Sequence, residues 1–310
     1  MSSLEGRVAL VTGGGRGIGK AIVEGLHAAG AAVVIADNGA AINGEGADPA
    51  VATDLAHALG SRALAFTEDM ADALAAARAV TAAVDTFGAI DIVVNNAAIL
   101  RDAFIFKGNP SDWDRVIQTN LSHAFYVLAA ATPHMRAQAK DGRGEGAWGR
   151  VINITSSAGL YGNFGQSAYA SAKAALVALT RVTALDMARS GVTANAIAPF
   201  AATRVTDIIQ PANEAQAAYK ERALKISPAY VARLVTLLAS DHGRSITGQL
   251  FGVRGREVFL FNQPRPAARL VAGDLSSSLD DLAAAVAREF APHFTSAETD
   301  LEAFNTEPFI

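Results

Sequence analysis

The sequence predicts an α/β fold built on a doubly wound, seven-stranded parallel sheet, and three observations predict it. Short apolar runs alternate with longer helix-forming stretches along most of the 310 residues. Hairpin signals are missing between those runs, so each strand is expected to return by a helical crossover and lie parallel to the one before. A glycine cluster, Gly13-Gly-Gly-Arg-Gly-Ile-Gly19, ends the first apolar run and opens the first helical stretch.

Arg7–Thr12 is the first strand, apolar throughout its centre as a strand buried on both faces should be. The helical pattern Ala21, Ile22, Gly25, Leu26, Ala29 follows the glycines. A strand, a glycine loop and a helix in that order suit the phosphates of a dinucleotide. Glycine permits the tight turn and close backbone approach, and the helix N-terminus presents N–H groups to the pyrophosphate. Ala32–Ala36 is the second strand and ends at Asp37, about twenty residues past the loop. A carboxylate there can accept both ribose hydroxyls of adenosine and repel a 2′-phosphate, which favours NAD over NADP. Arg16, in the loop, argues the other way. Residues 38–50 read as an insertion without assignable chemistry. Arg62–Phe66 is the third strand, with Asp69 placed to touch an adenine edge, and Ala71–Phe87 is a helix.

The fourth strand, Asp91–Ala98, opens into a loop of small residues that a flat cofactor can approach. Asn95 and Asn96 lie at its C-terminal end, where ligands sit in parallel sheets, although both are also ordinary turn residues. Ser111–Thr119 is a helix with Ser111 as its cap ahead of Asp112 and Asp114. It runs through Asn120, either a polar kink residue or a surface amide, into the apolar pattern Leu121–Met135. Ala139–Gly149 is a loop.

Strand five, Arg150–Thr155, delivers Ser156 at its end. Ser167–Arg189 contains no Gly or Pro and is rich in Ala and Leu, so a long helix is expected. Tyr169 and Lys173, four residues apart, share one face of it. A free phenol titrates near ~10, and an ammonium one turn away favours the phenolate. With a serine hydroxyl to hold the substrate oxygen, the trio suits proton transfer coupled to hydride transfer at an alcohol carbon. Val192–Ile197 is strand six, followed by Pro199. Phe200–Pro228 reads as an irregular lid, and Thr203 falls within reach of a nicotinamide carboxamide. Ala229–Leu238 is a helix and Gly248–Val253 the seventh strand.

After Gly255 the composition changes, so residues 1–255 are expected to form the nucleotide-binding and catalytic domain and 256–310 an extension. Pro264, Pro266 and Ser276–Ser278 mark a linker, and Leu279–Phe290 an amphipathic helix. The apolar edge of Phe294, Leu301, Phe304 and Phe309 can dock on its own domain, pack on a neighbouring subunit or close over a substrate. The totals add exclusions. With 26 basic and 30 acidic residues the net charge is −4, which fits neither a nucleic-acid nor a membrane-surface partner. Absence of cysteine rules out disulfides and thiolate chemistry. The six histidines show no ligand spacing, so no metal site is expected. No basic, apolar leader pattern opens the chain and no run of ~18 apolar residues occurs, so the expected location is cytoplasmic.

Taken together, T-G-G-G-R-G-I-G (12–19), Asp37, N-N-A-A (95–98), Asn120, Ser156, Y-A-S-A-K (169–173) and Pro199 resemble the short-chain dehydrogenase/reductase family, over about residues 5–255. The resemblance implies a Rossmann-type sheet and an enzyme acting on CH–OH groups. It implies that Tyr169 is the acid/base, that Ser156 orients the substrate oxygen, and that Lys173 binds the nicotinamide ribose and lowers the phenol pKa. Asn120 would hold a water in the proton relay. Gly13, Gly17, Ile18 and Gly19 would line the pyrophosphate, Asp37 the adenosine ribose and Asp69 the adenine, with Arg16 and Met70 also among the cofactor-binding residues. Asn96, Ala97, Ala98, Pro199 and Thr203 would lie against the rest of the cofactor. Ala98 and Phe200 stand where the family commonly has glycine.

N-N-A-A-I-L-R-D (95–102), Y-G-N-F-G-Q (161–166) and the insertion after Asp37 are similar to the dehydrogenase regions of type 2 peroxisomal multifunctional enzymes and their bacterial relatives. That similarity implies NAD-dependent oxidation of a 3-hydroxyacyl-CoA thioester, in a homodimer or homotetramer. A hydroxysteroid or other cyclic alcohol is the second expectation, and a non-catalytic NAD-sensing protein the third.

Overall fold

The structure is a computed structural model that describes residues 4–141, 148–200, 214–273, 278–304 and 306–310. Eight strands form one sheet: β1 (Val8–Thr12), β2 (Ala32–Ala36), β3 (Ala63–Phe66), β4 (Ile92–Asn95), β5 (Gly149–Ile154), β6 (Val192–Phe200), β7 (Leu250–Arg254) and β8 (Glu257–Phe261). Their spatial order is 3-2-1-4-5-6-7-8. All neighbours are parallel except the last pair. The chain winds outward from β1 to β3, then restarts beside β1 with β4. The crevice where the winding reverses is where such sheets bind ligands.

Strand periodicity builds the core on both faces of the sheet. Helices α1 (Gly17–Ala28), α2 (Ala50–Leu59) and α3 (Ala73–Phe87) flank its first half. Ala9 and Val11 of β1 pack with Ile22, Val23 and Leu26 of α1. Val8 and Leu10, pointing the other way, pack with Ala76, Ala79, Val80 and Ala83 of α3. Burial of a Val, Leu or Ile side chain stabilises by about 1.5–3 kcal/mol, so the alternation fixes which face each strand residue takes.

Several expectations are corrected. The sheet has eight strands rather than seven, because Gly255-Arg256 is a turn that folds β8 back antiparallel onto β7. Helix α2, which follows the insertion, was not expected. Helix α4 (Pro110–Ile117) is capped by Asn109, whose Oδ1 accepts from the Ser111 N–H, with Pro110 at its first position; Ser111 is not the cap. One wide π turn, Gln118–Ser122, joins α4 to α5 (His123–Lys140) and contains Asn120. Helices α6 (Ala158–Tyr161) and α7 (Ser167–Asp186) follow β5. The expected lid is partly regular, since Phe200 ends β6 and α8 (Glu214–Leu224) is helical; residues 201–213, Thr203 among them, lie outside the described residues. Helix α9 (Ala229–Ala239) packs against α1.

The end of the chain docks on its own domain. Helix α10 (Leu279–Glu289) leaves Leu279 and Leu282 exposed, but α11 (Asp300–Ala303) and the residues after it are held tightly. Arg254, buried at the end of β7, binds the Glu257 carboxylate through Nε and Nη2. It also donates to the Phe304 and Thr306 carbonyls and the Thr306 hydroxyl. The Phe304 ring sits among Tyr161, Phe200, Phe259 and Phe261. Among the described residues, no helix is long and apolar enough to cross a membrane.

Candidate active site

A crevice of about 850 Å³ opens at the C-terminal ends of the strands, between the loops after β1 and β4. One half is walled by main chain. Gly13 has φ +61°, and a Cβ on it would meet the Ala97 Cα at 2.8 Å. A Cβ on Gly19 would lie 1.9 Å from the Gly13 carbonyl oxygen, so the first turn of α1 can pass there only with glycine at that position. Asn96 Nδ2 donates to the Thr12 and Gly13 carbonyls, tying the loop after β4 to the glycine loop. Asp37 ends β2 in the crevice, with one oxygen accepting from Gly15 N–H and the other from Gly39 N–H, both at 2.8 Å. These features fit a dinucleotide: a glycine cradle with no room for a Cβ, an open helix N-terminus and a fixed carboxylate.

The expected residues Gly13, Arg16, Gly17, Ile18, Gly19, Asp37, Asp69, Met70, Asn96, Ala97, Ala98 and Pro199 all line this crevice. Arg16 turns toward the insertion, where it meets the Gly39 carbonyl and Asp48 at 3.4 Å each. Asp69 is paired with Arg115 at 2.8 Å.

The other half is walled by side chains, and Ser156, Tyr169 and Lys173 line it. Tyr169 is pushed up to about 12, with burial the largest cause; its hydrogen bond with Ser156 opposes the shift, while Asp102 and Asp300 reinforce it. Burial lowers Lys173 to about 7, and its Nζ donates to the Ile154 carbonyl at 2.8 Å. The expectation of a phenol depressed by a neighbouring ammonium is therefore corrected for this structure: burial dominates, and Lys173 is not among the groups that shift the phenol. Asn120 does not line the crevice. It is fully buried behind it, its amide paired at both ends with the Ile99 main chain, at 2.8 and 2.9 Å. It is therefore a kink residue in the π turn, not a surface amide.

A sequence model of the family described as short chain dehydrogenase matches residues 7–217. The chain belongs to the short-chain dehydrogenase/reductase family. It is 36% identical over 304 residues to the hydroxyacyl-CoA dehydrogenase ChsB1 of Mycobacterium tuberculosis, covering 97% of this chain and 94% of that one. It is 38% identical to a 3-oxoacyl-[acyl-carrier-protein] reductase of Synechocystis, over 82% of this chain and 98% of the relative. The mouse peroxisomal multifunctional enzyme type 2 is 34% identical over 76% of this chain, which spans 30% of that protein. A crystal structure of a short chain dehydrogenase from Mycobacterium avium superposes with a TM-score of 0.78 at 33% identity, covering 96% of this chain and 99% of that one. This short-chain dehydrogenase/reductase is accordingly an oxidoreductase acting on CH–OH groups.

Sequence reasoning missed several groups that the fold brings to the dehydrogenase crevice. Asn38, Ala41 and Ile42 of the insertion line it, and the Ile42 carbonyl accepts from Leu100 N–H. His123, read as an ordinary histidine, is buried against it, lowered to about 4 by burial and then by Lys173. Thr12 Oγ1 accepts from the Asn96 and Ala97 N–H groups and lies 3.1 Å from His123 Nε2. A hydroxyl that accepts twice must donate its own proton onward, so Nε2 accepts and the neutral ring carries its hydrogen on Nδ1. Asp300 also lines the crevice, 143 residues from the Ser157 hydroxyl that it accepts. No local pattern marks Asp300; only docking of the chain end places it.

Proposed function

We propose that this dehydrogenase uses NAD to interconvert a 3-hydroxyacyl-CoA thioester and its 3-oxo form. The observation that carries the proposal is a single crevice holding both a dinucleotide cradle and the Ser156–Tyr169–Lys173 trio. The ChsB1 relative, matched nearly end to end, supports an acyl-CoA substrate. NAD is favoured because the Asp37 carboxylate at the end of β2 would repel a 2′-phosphate, and Arg16 is engaged by Gly39 and Asp48.

Bound nicotinamide would accept the hydride from the carbinol carbon. Ser156 holds the substrate oxygen beside the phenol, and Tyr169 Oη takes the hydroxyl proton on oxidation and returns it on reduction. Lys173, held at the Ile154 carbonyl with its Nζ 5.8 Å from the Tyr169 ring, would bind the nicotinamide ribose. Asn120 keeps the main chain of the π turn registered against the loop after β4. The catalytic domain takes in β8 beyond residues 1–255, and the chain after Phe261 serves as a cap rather than a separate unit. The exposed stripe of Ala174, Ala178, Val182 and Leu185 on α7, with Phe125 on α5, supports assembly into a homodimer or homotetramer.

Apolar walls contributed by Phe104, Phe164 and Phe200 also suit a ring system, so a hydroxysteroid is the second substrate class. Nucleotide reduction measured across 3-hydroxyacyl-CoA thioesters and free hydroxysteroids separates the two. Higher kcat/KM on the thioesters is expected; turnover of the steroids alone would overturn the assignment.

A further inference from the structure

One buried histidine serves the nucleotide half without belonging to its main-chain cradle. His123 opens α5, and its ring is buried against the crevice. Thr12 Oγ1 donates to His123 Nε2 at 3.1 Å and itself accepts from the Asn96 and Ala97 N–H groups at 3.0 and 3.1 Å. Both amides belong to the loop after β4, whose Asn96 and Ala97 line the crevice. A hydroxyl that accepts twice has one hydrogen left, and the ring nitrogen is where that hydrogen goes.

The far side of the ring meets the π turn. Nδ1 is buried without a hydrogen bond of good geometry, yet the Thr119 carbonyl, one turn earlier, still favours a hydrogen on the ring. The same π turn carries Asn120, whose amide holds the Ile99 main chain at both ends. The loop after β4 is therefore pinned twice from one short stretch. Asn120 holds it at Ile99, and His123, through Thr12, holds it at Asn96 and Ala97. Burial and then Lys173 keep the ring uncharged, so it can accept a hydrogen bond and adds no second cation beside the amine.

We propose that His123 is a positioning residue for the bound dinucleotide. As a neutral ring with its hydrogen on Nδ1, it orients the Thr12 hydroxyl and thereby sets the Asn96–Ala97 main chain as a wall of the nucleotide site. It touches no reacting atom. An apolar side chain of similar size would fill the same volume but leave the Thr12 hydrogen without its acceptor. The role rests on the proposed function only for the presence of a nicotinamide dinucleotide in the crevice, and not for the substrate.

Two substitutions separate this role from packing. His123→Leu removes the acceptor at similar volume, and His123→Gln returns one, because its amide oxygen can stand in for Nε2. Dissociation constants for NAD and NADH are measured by calorimetry, with melting temperature as the check on folding. His123→Leu should weaken both nucleotides about ten-fold, and His123→Gln should recover most of that loss. Thr12→Val should weaken them too, and adding His123→Leu to it should cost little more, because the ring acts through the hydroxyl. In steady state, His123→Leu should raise the nucleotide KM more than it lowers kcat. Binding by His123→Leu within about two-fold of the unaltered enzyme, or losses that simply add in the double variant, would overturn the role.

Nitrogen NMR of the unaltered, histidine-labelled enzyme gives a second reading that no folding defect in a variant can obscure. At neutral pH, with the His123 signals assigned by their loss in His123→Gln, Nδ1 should carry the hydrogen and Nε2 none. The opposite tautomer or a charged ring would also overturn the role. Failure of the unaltered enzyme to bind any nicotinamide dinucleotide would overturn the proposed function and this role with it. Nucleotide binding that is indifferent to His123 would overturn this role alone.

Discussion

The nucleotide half of the crevice is made of main chain, whereas the substrate half is made of side chains from distant parts of the sequence. The Gly15 N–H donates to the Asp37 carboxylate, the Asn96 side-chain amide donates to the Gly13 carbonyl, and a single Cβ at Gly19 has nowhere to go. Across the crevice, Ser157 meets Asp300 and Gln166 meets Asp102, in contacts that depend on where helices and the chain end dock. The first kind of wall tolerates little substitution and recognises a constant ligand. The second can change its lining without disturbing the sheet, so one fold can serve many alcohols.

The largest expected effect breaks chemistry on one side while sparing the other. Tyr169→Phe should lower kcat by about 10³-fold while leaving the NAD dissociation constant nearly unchanged, as read by rapid kinetics and calorimetry. Equal losses in both would show that the halves are not separable. Next in size, Asp37→Ala should weaken NAD by about ten-fold and bring NADP closer to it, since a charged acceptor of hydroxyl hydrogen bonds is lost. Unaltered preference would remove Asp37 from the ribose.

The smallest effect is on stability. Lys173 has a folded value of about 7 against about 10.5 unfolded, so between those values the unfolded chain binds the proton more readily. Stability should therefore rise as pH increases from 7 to 10.5, and burial of the amine costs most at and below neutrality. Lys173→Met should abolish turnover yet raise the melting temperature at pH 7 by a few degrees, a net gain of about 1 kcal/mol after the lost bond to Ile154. It should also flatten the pH dependence of melting between 7 and 10. A drop in melting temperature would show that the amine supports the fold.

The same division explains how much could be read from sequence. The glycine loop, Asp37, the N-N-A-A loop and the Y-x-x-x-K pair are local in the chain, and their chemistry follows from spacing alone. Seven strands follow from apolar runs, but β8 was hidden because Gly255 marks both a composition change and a tight turn. Asn120 looked ambiguous because its partner, Ile99, is 21 residues away. His123 and Asp300 carry no pattern at all. Their surroundings come from Thr12, Ser157 and Asn163, and no residue spacing encodes such encounters. The depressed phenol expected from Lys173 failed for a similar reason, since desolvation depends on the packing of the whole site.

The most direct measurement of the central claim follows the hydrogen itself. A 3-hydroxyacyl thioester deuterated at the carbinol carbon is mixed with enzyme and NAD, and the nucleotide is recovered for mass analysis. One deuterium on the reduced nicotinamide is expected with the unaltered enzyme, and no label transfer with Tyr169→Phe on the same timescale. Product formed with the label released to water would contradict direct hydride transfer in a shared crevice.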